Sequence, residues 1–315
     1  MTPPPLLVIV GPTGVGKTAV AVRLAAMLPI EAVSADSRQV YRGMDIGTGK
    51  PSVEEQEALA HHLIDVADPG ERYHVARFRA DALAAVEGIR ARGRLPVVVG
   101  GTGLYVRALL KGLRPAPPAD PALRRELDAF AGAHGTPALH GRLAALDLAT
   151  ARRLHPNDRV RIVRAIEVLM RGARDTGRAP GGEWTAGAAS WRLLMVGVRQ
   201  PREALRARLA ARARVMLARG MLDEVGRLLA AGHGKSLPAM DGIGYRQFCA
   251  VLRGDLAAEE ALRLMIRDTV RYAKRQMTWF ARDPEIRWID VDAAGGPDRV
   301  AESIAKQVVE EGLIE

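Results

Sequence analysis

The sequence predicts an α/β fold in which a parallel-sheet core carries an all-helical insertion. Short apolar runs typical of buried parallel strands occur at 6–10, 95–99, 193–198 and 286–291. Stretches with helical spacing separate them, at about 76–92, 202–218, 221–231 and 256–282. A proline-dense stretch at 114–121 and a glycine-rich stretch at 178–190 bracket a segment that is helical throughout. The predicted domains are therefore a core of 1–114 with 191–315 and an insertion of 115–190.

The first predicted strand runs directly into a glycine-rich loop. Residues 11–18, GPTGVGKT, fit the pattern G-x-x-x-x-G-K-[ST], and an apolar helix follows from about residue 19 to 28. Backbone N–H groups and the positive end of the helix would hold phosphate oxygens. Lys17 would neutralise the terminal phosphate, and the Thr18 hydroxyl would ligate Mg²⁺. The core is therefore predicted to be P-loop NTPase-like and to bind a diphosphate or a triphosphate, with no indication of the rest of the ligand.

Length, composition and charge restrict the class of protein. The 315 residues are 48% hydrophobic, enough for a large core, and no apolar run is long enough to span a membrane. Residues 1–5 lack the basic start of a signal peptide, and the one cysteine, Cys249, excludes internal disulfides and suits a reducing compartment. We therefore expect a cytoplasmic protein. The net charge of +10 favours a nucleic-acid partner, although a biased arginine-rich genome would produce the same charge.

Two further strands end in residues suited to a ligand site. Asp36 follows a short strand at about 31–35 and would point toward the phosphate loop, as a carboxylate near Mg²⁺ or as a general base. Its alternative role is to cap the turn that follows. The strand 95–99 ends in Gly100-Gly101, where an ATPase often carries a metal-binding aspartate. The glycines argue against hydrolysis and predict the close approach of a bulky ligand, with Thr102 supplying a hydroxyl.

Two other patterns are predicted to be structural. Residues 47–51, GTGKP, imitate a phosphate loop but lack the preceding strand, so we expect a surface turn that lies near the substrate at most. His61 and His62 are adjacent, and adjacent side chains do not converge on a metal ion.

Arginine recurs at helical spacing on two predicted helices. In the helix that Asp158 begins, Arg161, Arg164 and Arg171 lie opposite an apolar face. The long helix near 256–282 carries a second stripe, formed by Arg267, Arg271, Lys274 and Arg282. One such stripe is usually a solvated face, but one on the insertion and one on the core together predict a basic cleft that suits a folded RNA.

The sequence resembles the tRNA dimethylallyltransferase family, whose members prenylate the adenosine on the 3′ side of the anticodon. The resemblance covers nearly the whole chain and is specific because the motifs occur in order. Besides the loop at 11–18, they are SADSRQVYRGMDIGTGKP (34–51), HHLIDV (61–66), GGTGLYVRAL (100–109), HPNDRVRIVRAIEV (155–168), IGYRQF (243–248) and YAKRQMTWF (272–280).

The resemblance implies a catalytic site at the phosphate loop. Dimethylallyl diphosphate would bind there with Mg²⁺ at Thr18, and the diphosphate would be released. The diphosphate-binding residues would be Gly11, Pro12, Thr13, Gly14, Val15, Gly16, Lys17 and Thr18. The near-catalytic residues would be Asp36, Thr102, Lys17 and Arg212. Arg214 and Arg219 remain alternatives to Arg212.

The resemblance also implies that the helical insertion grips the tRNA anticodon stem-loop and that the target base leaves its stack. The implied tRNA contacts are Asp36, Ser37, Arg38, Gln39, Thr102, Arg124, Val160, Arg161, Ile162, Val163, Arg164, Asp241, Gly242, Ile243, Gly244, Tyr245, Arg246, Lys274, Arg275, Gln276, Met277, Thr278, Trp279, Phe280 and Ala281. No stable protein partner is required, so a monomer is expected.

Two other functions compete with this one. A P-loop small-molecule kinase would transfer a phosphoryl group from ATP and would also need several arginines. An ATP-driven RNA-binding protein would hydrolyse ATP without changing the RNA. A guanine-specific version is excluded, because Asn157 is the only asparagine and the Asn-Lys-x-Asp motif is absent.

Overall fold

The computed structural model describes residues 3–113, 117–171, 191–234 and 237–314. The chain forms two compact units, one of Met1–Leu110 with Ala189–Glu315 and the other of Lys111–Ala188. The glycine-rich stretch predicted at 178–190 lies outside the described residues.

The larger unit is built on a six-stranded sheet in which every pair of neighbours is parallel. The strands are β1 (Pro5–Val10), β2 (Ile30–Ala35), β3 (His61–His62), β4 (Leu95–Gly100), β5 (Arg192–Arg199) and β6 (Ile286–Asp290). Their order across the sheet is β3-β2-β4-β1-β5-β6. In the register, Val8 pairs with Val98 on one side and with Met195 on the other. The carboxyl ends of β1, β2 and β4 therefore meet at one edge.

Helices cover both faces of this sheet. They are α1 (Lys17–Ala25), α2 (Val53–Ala58), α3 (Val75–Ala91), α4 (Gly103–Lys111), α9 (Arg202–Ala218), α10 (Met221–Ala230), α11 (Tyr245–Leu252), α12 (Ala258–Phe280) and α13 (Pro297–Glu310), with α5–α8 in the smaller unit. Along β1, Leu6 and Val8 enter the core on one face, and Leu7 and Ile9 enter the core on the other. Burial on both faces explains why these strands are continuously apolar.

The smaller unit consists of four helices around their own apolar core. They are α5 (Pro121–His134), α6 (Thr136–Leu146), α7 (Leu148–Arg153) and α8 (Arg159–Met170). Leu127, Leu139 and Ile162 are buried at its centre. Gly135 caps α6, and Thr136 is the first residue of that helix. Asp158 caps α8 as predicted, since its Oδ1 accepts the Arg161 N–H at 3.2 Å.

No helix among the described residues is long and apolar enough to cross a membrane. Cys249 is buried in α11.

Candidate active site

The phosphate loop joins β1 to α1 and is closely packed from outside. Gly14 and Gly16 have φ of 77° and 102°, a left-handed conformation that side chains disfavour. A Cβ at Gly14 would also lie 2.5 Å from Leu209 Cδ2, and one at Gly11 would overlap the carbonyl oxygen of Val198. Glycine is therefore required at these positions by conformation and by space. The loop leads into the N-terminus of α1, where the helix dipole favours an anion.

Lys17 is folded back onto its own loop. Its Nζ donates to the carbonyl oxygens of Gly11 at 3.0 Å and Pro12 at 2.9 Å. Burial lowers the pKa of Lys17 to about 8; the Asp36 carboxylate opposes this shift, and the Arg212 guanidinium adds to it. Lys17 is thus a desolvated cation at the loop, with one carboxylate and one further cation close by.

Asp36 both caps a turn and lies near the cations of the phosphate loop. Its Oδ1 accepts N–H bonds from Arg38 at 2.8 Å and Gln39 at 3.4 Å, which caps the turn after β2. The same carboxylate raises the pKa of both Lys17 and Arg212 against the effect of burial, so it faces the phosphate loop. Both of these turn bonds are accepted by Oδ1.

Thr102 and Tyr272 lie beside Asp36. Thr102 Oγ1 accepts the N–H of Ser37 at 3.2 Å, and the Thr102 N–H donates to the Ala35 carbonyl, so the ends of β2 and β4 are tied together. Burial raises the pKa of Tyr272 to about 12; Asp36 adds to the shift, and a hydrogen bond with Thr102 opposes it. Tyr272 was part of a resembling motif but was not predicted as a site residue.

The glycines after β4 make room for α12 and not for a ligand. Gln276 is buried and bridges two loops, since its Oε1 accepts the Thr13 N–H at 2.8 Å and its Nε2 donates to the Gly101 carbonyl at 2.9 Å. A Cβ at Gly101 would overlap this amide, and one at Gly103 would overlap the Trp279 ring. The predicted approach of a bulky ligand is therefore corrected, because the protein's own side chains occupy that space.

The structure distinguishes the three candidate arginines on and after α9. Burial lowers the pKa of Arg212, with Asp36 opposing the shift, and Arg212 Nη2 lies 3.5 Å from the Gly49 carbonyl. Arg214 and Arg219 are exposed. Arg212 is therefore the member of the three that faces Lys17 and Asp36.

The second glycine–lysine loop, Asp45–Lys50, contains the predicted turn, half-exposed at 46–49, but it is also packed around a buried carboxylate. The buried Glu224 carboxylate accepts the N–H groups of Asp45, Ile46 and Gly47 at 2.7–3.1 Å. It also accepts the Tyr245 hydroxyl at 2.7 Å. Lys50 is 4% exposed and pairs with Asp45 and Asp65. The sequence of this loop is similar to a phosphate loop because its backbone N–H groups do bind an anion. That anion is the carboxylate of Glu224.

His61 and His62 belong to β3 and take part in separate contacts. His61 Nδ1 lies 2.6 Å from the Leu59 carbonyl oxygen, and His62 Nε2 lies 2.7 Å from Glu31. A bidentate bond from Arg92 contributes most to lowering the pKa of Glu31 to about 2. Among the described residues, no group of three or more His, Cys, Asp or Glu side chains could hold a metal ion.

The arginine stripe on α8 is largely neutralised within the smaller unit. Arg164 pairs with Glu167, a fully buried carboxylate that Arg124 also binds through two bonds of 2.9 and 2.7 Å. Arg171 pairs with Asp120 at 2.8 Å. Arg161 is the most exposed member of the stripe, at 63%, and contacts Asp158. The unbroken basic face that the spacing predicts is therefore replaced by ion pairs that hold the insertion together.

The stripe on α12 is also partly paired, since Asp268 lies 2.9 Å from Arg267 and 4.0 Å from Arg271. An open groove of about 480 Å³ lies along this helix. Its lining residues are Arg271, Lys274, Arg275, Thr278, Trp279 and Arg282. The Trp279 ring is partly exposed. The groove combines cations with an accessible aromatic ring, which suits a nucleic acid strand.

The predicted RNA contacts divide by exposure. Nine of them are exposed, namely Val160, Arg161, Asp241, Arg246, Lys274, Arg275, Thr278, Trp279 and Ala281. Arg38 Nη1 donates to the carbonyl oxygen of Pro238 at 2.7 Å, which joins the turn at 36–39 to the segment before 241–246. Several predicted contacts have buried side chains, namely Ile162, Val163, Tyr245, Gln276 and Phe280. The side chains of that last group serve the core, because packing and internal hydrogen bonds occupy them.

A phosphate loop on a central parallel strand, with Lys17, Arg212 and Asp36 around it, is the arrangement of a P-loop-type core. Comparison with known proteins gives the particular family. The sequence profile described as IPP transferase matches residues 39–283, and the one described as isopentenyl transferase matches residues 4–67. This chain therefore belongs to the IPP transferase family.

Full-length relatives agree with this assignment. The chain is 46% identical to the tRNA dimethylallyltransferase of Desulforudis audaxviator, over 98% of this chain and 99% of the relative. It is similar to the crystal structure of a tRNA isopentenylpyrophosphate transferase from Bacillus halodurans, at 37% identity and a TM-score of 0.70 over 98% and 97% of the two chains. A eukaryotic dimethylallyltransferase, described as acting on tRNA, matches with a TM-score of 0.76 and 25% identity, over 98% of this chain and 80% of the other.

Proposed function

We propose that this protein transfers the dimethylallyl group of dimethylallyl diphosphate to the exocyclic amine of adenosine 37 in tRNA and releases diphosphate. The observation that carries the proposal is the position of Asp36 near both Lys17 of the phosphate loop and Arg212 of α9. Membership of the family favours this function over a small-molecule kinase or an ATP-driven RNA-binding protein.

The loop at 11–18 and the cations around it would bind the diphosphate group and assist its departure. Its amides, Lys17 and Arg212 would stabilise the charge that develops on the diphosphate as the allylic C–O bond breaks. The hydroxyl of Thr18, at the start of α1, and Asp36 Oδ2 are oxygen donors of the kind that Mg²⁺ prefers, so these residues fit the ion. Bound there, Mg²⁺ would add positive charge against the diphosphate oxygens.

Asp36 would act as the general base for the adenine amine. The adenine amine is a weak nucleophile because its lone pair is delocalised into the ring. As the N–C bond to the allylic carbon forms, the amine loses a proton, which the Asp36 carboxylate accepts. Thr102 holds the Ser37 N–H next to Asp36 and so orients the turn that carries the base. The amine lone pair forms the new N–C bond, Asp36 takes the amine proton, and the diphosphate leaves with the electron pair of the C–O bond.

The RNA would be bound by exposed cations of the α12 groove and of the insertion. The groove on α12 offers Lys274, Arg275 and Arg282 together with the Trp279 ring, which can stack on a base. The insertion would add exposed positions such as Arg161. This arrangement agrees with the implied grip on the anticodon stem-loop and with a base that leaves its stack to reach Asp36.

The proposal is tested by a product assay. Purified protein is mixed with unmodified tRNA, Mg²⁺ and dimethylallyl diphosphate, and a parallel reaction contains ATP instead. The tRNA is digested, and its nucleosides are analysed by mass spectrometry. We expect prenyl mass on adenosine in the first reaction alone. Unmodified adenosine in that reaction, with ATP consumed in the other, would contradict the proposal and favour a kinase or an ATPase.

A further inference from the structure

Two consecutive residues of α9 pack against the glycines of the phosphate loop. A Cβ at Gly14 would lie 2.5 Å from Leu209 Cδ2, and one at Gly16 would lie 3.4 Å from Arg208 Nη2. The Arg208 guanidinium therefore lies directly against the glycine that caps α1, where the loop amides and the helix dipole favour an anion.

Arg208 adds a second arginine to the same side of the loop as Arg212. The two residues are four apart on α9, so their side chains lie one above the other on one face of the helix. They are close enough that Arg208 contributes to lowering the pKa of Arg212, after burial and against the opposing effects of Asp36 and Glu55. Two neighbouring cations repel each other, and an anion bound between them would remove that cost.

The rest of the described chain pairs many of its arginines, whereas Arg208 is unpaired. Arg164, Arg171 and Arg246 each contact a carboxylate at hydrogen-bond distance. No hydrogen bond or ion pair within the part of the chain that the structure describes engages the Arg208 side chain, which is exposed. Its guanidinium is therefore free to bind an incoming phosphate at the loop.

We infer that Arg208 binds the outer phosphate of the diphosphate group. This inference rests on the proposed function and deepens its phosphate site. Arg212 is desolvated beside Asp36 and faces the reacting side, whereas Arg208 is exposed beside Gly16 and faces the end of the diphosphate away from the allylic carbon. Guanidinium groups bind phosphate oxygens through strong charge-assisted hydrogen bonds. Arg208 thus acts on affinity for the diphosphate group more than on the rate of transfer.

The test compares Arg208→Ala with Arg206→Ala. Arg206 is an exposed arginine two residues earlier on α9, which places it on the other side of the helix. Alanine keeps the helix in both variants, so each should fold. Inorganic diphosphate with Mg²⁺ is the probe, and its binding is measured by calorimetry. The KM for dimethylallyl diphosphate, the kcat and the tRNA affinity are measured beside it.

For Arg208→Ala we expect diphosphate affinity to fall by about tenfold or more and the KM to rise by a similar factor, as for the loss of one charge-assisted bond. The kcat of Arg208→Ala should change by less, and its tRNA affinity should stay near that of wild type. Arg206→Ala should match wild type in all of these quantities. Wild-type affinity in Arg208→Ala, or an equal loss in Arg206→Ala, would overturn this inference alone. A wild-type protein that does not bind diphosphate would overturn both the inference and the phosphate site of the proposed function.

Discussion

The protein contains two glycine–lysine loops that look alike in sequence and differ in what they hold. The loop at 11–18 leads into the N-terminus of α1, and its lysine donates to two of the loop's own carbonyl oxygens. The loop Asp45–Lys50 is filled by the carboxylate of Glu224, and two aspartates hold its lysine. A glycine–lysine pattern thus identifies a backbone that can wrap an anion. Tertiary contacts decide whether that anion is a ligand or part of the chain.

The largest expected difference between the loops is in activity. Lys17→Met should lower turnover by roughly 10²–10³-fold, because a preorganised cation at the departing diphosphate is lost. Its effect on the free energy of unfolding should be small, since a desolvated charge is removed together with its two bonds to the loop. Lys50→Met should show the reverse pattern, with its larger effect on stability. It should lower the free energy of unfolding by roughly 1–3 kcal/mol, because Asp45 and Asp65 lose their shared partner. Steady-state kinetics and urea unfolding of both variants check this.

The next largest effect is expected at Asp36, the carboxylate beside the first loop. Asp36→Asn keeps an oxygen that can accept the turn N–H bonds at Oδ1 and removes the proton acceptor. Turnover should fall by about 10²-fold or more, with tRNA affinity within a few-fold of wild type. Product formation by mass spectrometry and tRNA binding by filter assay measure the two effects. Normal turnover in Asp36→Asn would remove the general base from the account.

The carboxylate within the second loop should act through structure. Glu224→Gln replaces an oxygen by an NH₂ group that cannot accept the N–H groups of 45–47, so one or more donors lose their partner. We expect the free energy of unfolding to fall by about 1–3 kcal/mol. Tyr245→Phe, which removes one donor to the same carboxylate, serves as the milder control. If Glu224→Gln matched wild type in urea unfolding, the loop would not depend on this anion.

The pH dependence of ligand affinity should report on the first loop alone. Burial lowers the pKa of Lys17 to about 8 in the free protein, and the diphosphate binds the protonated form. Affinity should therefore be retained below pH 8 and fall as pH rises through that value, by at most tenfold per pH unit. Lys17→Arg keeps its charge over this range, so its profile corrects for titration of the ligand itself. Parallel profiles for wild type and Lys17→Arg would contradict the lowered pKa.

The smallest expected effect is on tRNA binding and compares the two arginine-rich helices, α12 and α8. Lys274 on α12 lines the groove, whereas Arg171 is paired with Asp120 just after α8. Lys274→Ala should weaken tRNA binding a few-fold and reduce the slope of affinity against salt by about 1. Arg171→Ala should leave that slope unchanged, because its charge is already neutralised. Binding titrations at several salt concentrations distinguish the two results.

Local signals in the sequence predicted much of the larger unit. The strand, loop and helix at 5–25 follow from apolar residues, glycines and a lysine that are contiguous, and α9 was predicted with its observed bounds because its spacing is regular. The resemblance to the family was confirmed by the profile matches and the full-length relatives. The two-residue strand β3 was not predicted, since so short a segment has no periodicity to detect.

Contacts between distant residues are what the sequence did not reveal. Gln276 reaches Thr13 across 263 positions, and Glu224 reaches Ile46 across 178. Neither partner carries a local signal of the other. The same limit explains the arginine stripe on α8, where helical spacing gives the face of each arginine but not the buried Glu167 that neutralises Arg164.

The central claim, that one of the two loops binds a free anion and the other binds the chain itself, is tested most directly by calorimetry with inorganic diphosphate and Mg²⁺. Wild type, Lys17→Met and Lys50→Met are titrated at a temperature where circular dichroism shows all three folded. The account predicts a single diphosphate site in wild type and in Lys50→Met, and none in Lys17→Met. Binding that is retained in Lys17→Met and lost in Lys50→Met, or a second site in wild type, would contradict it.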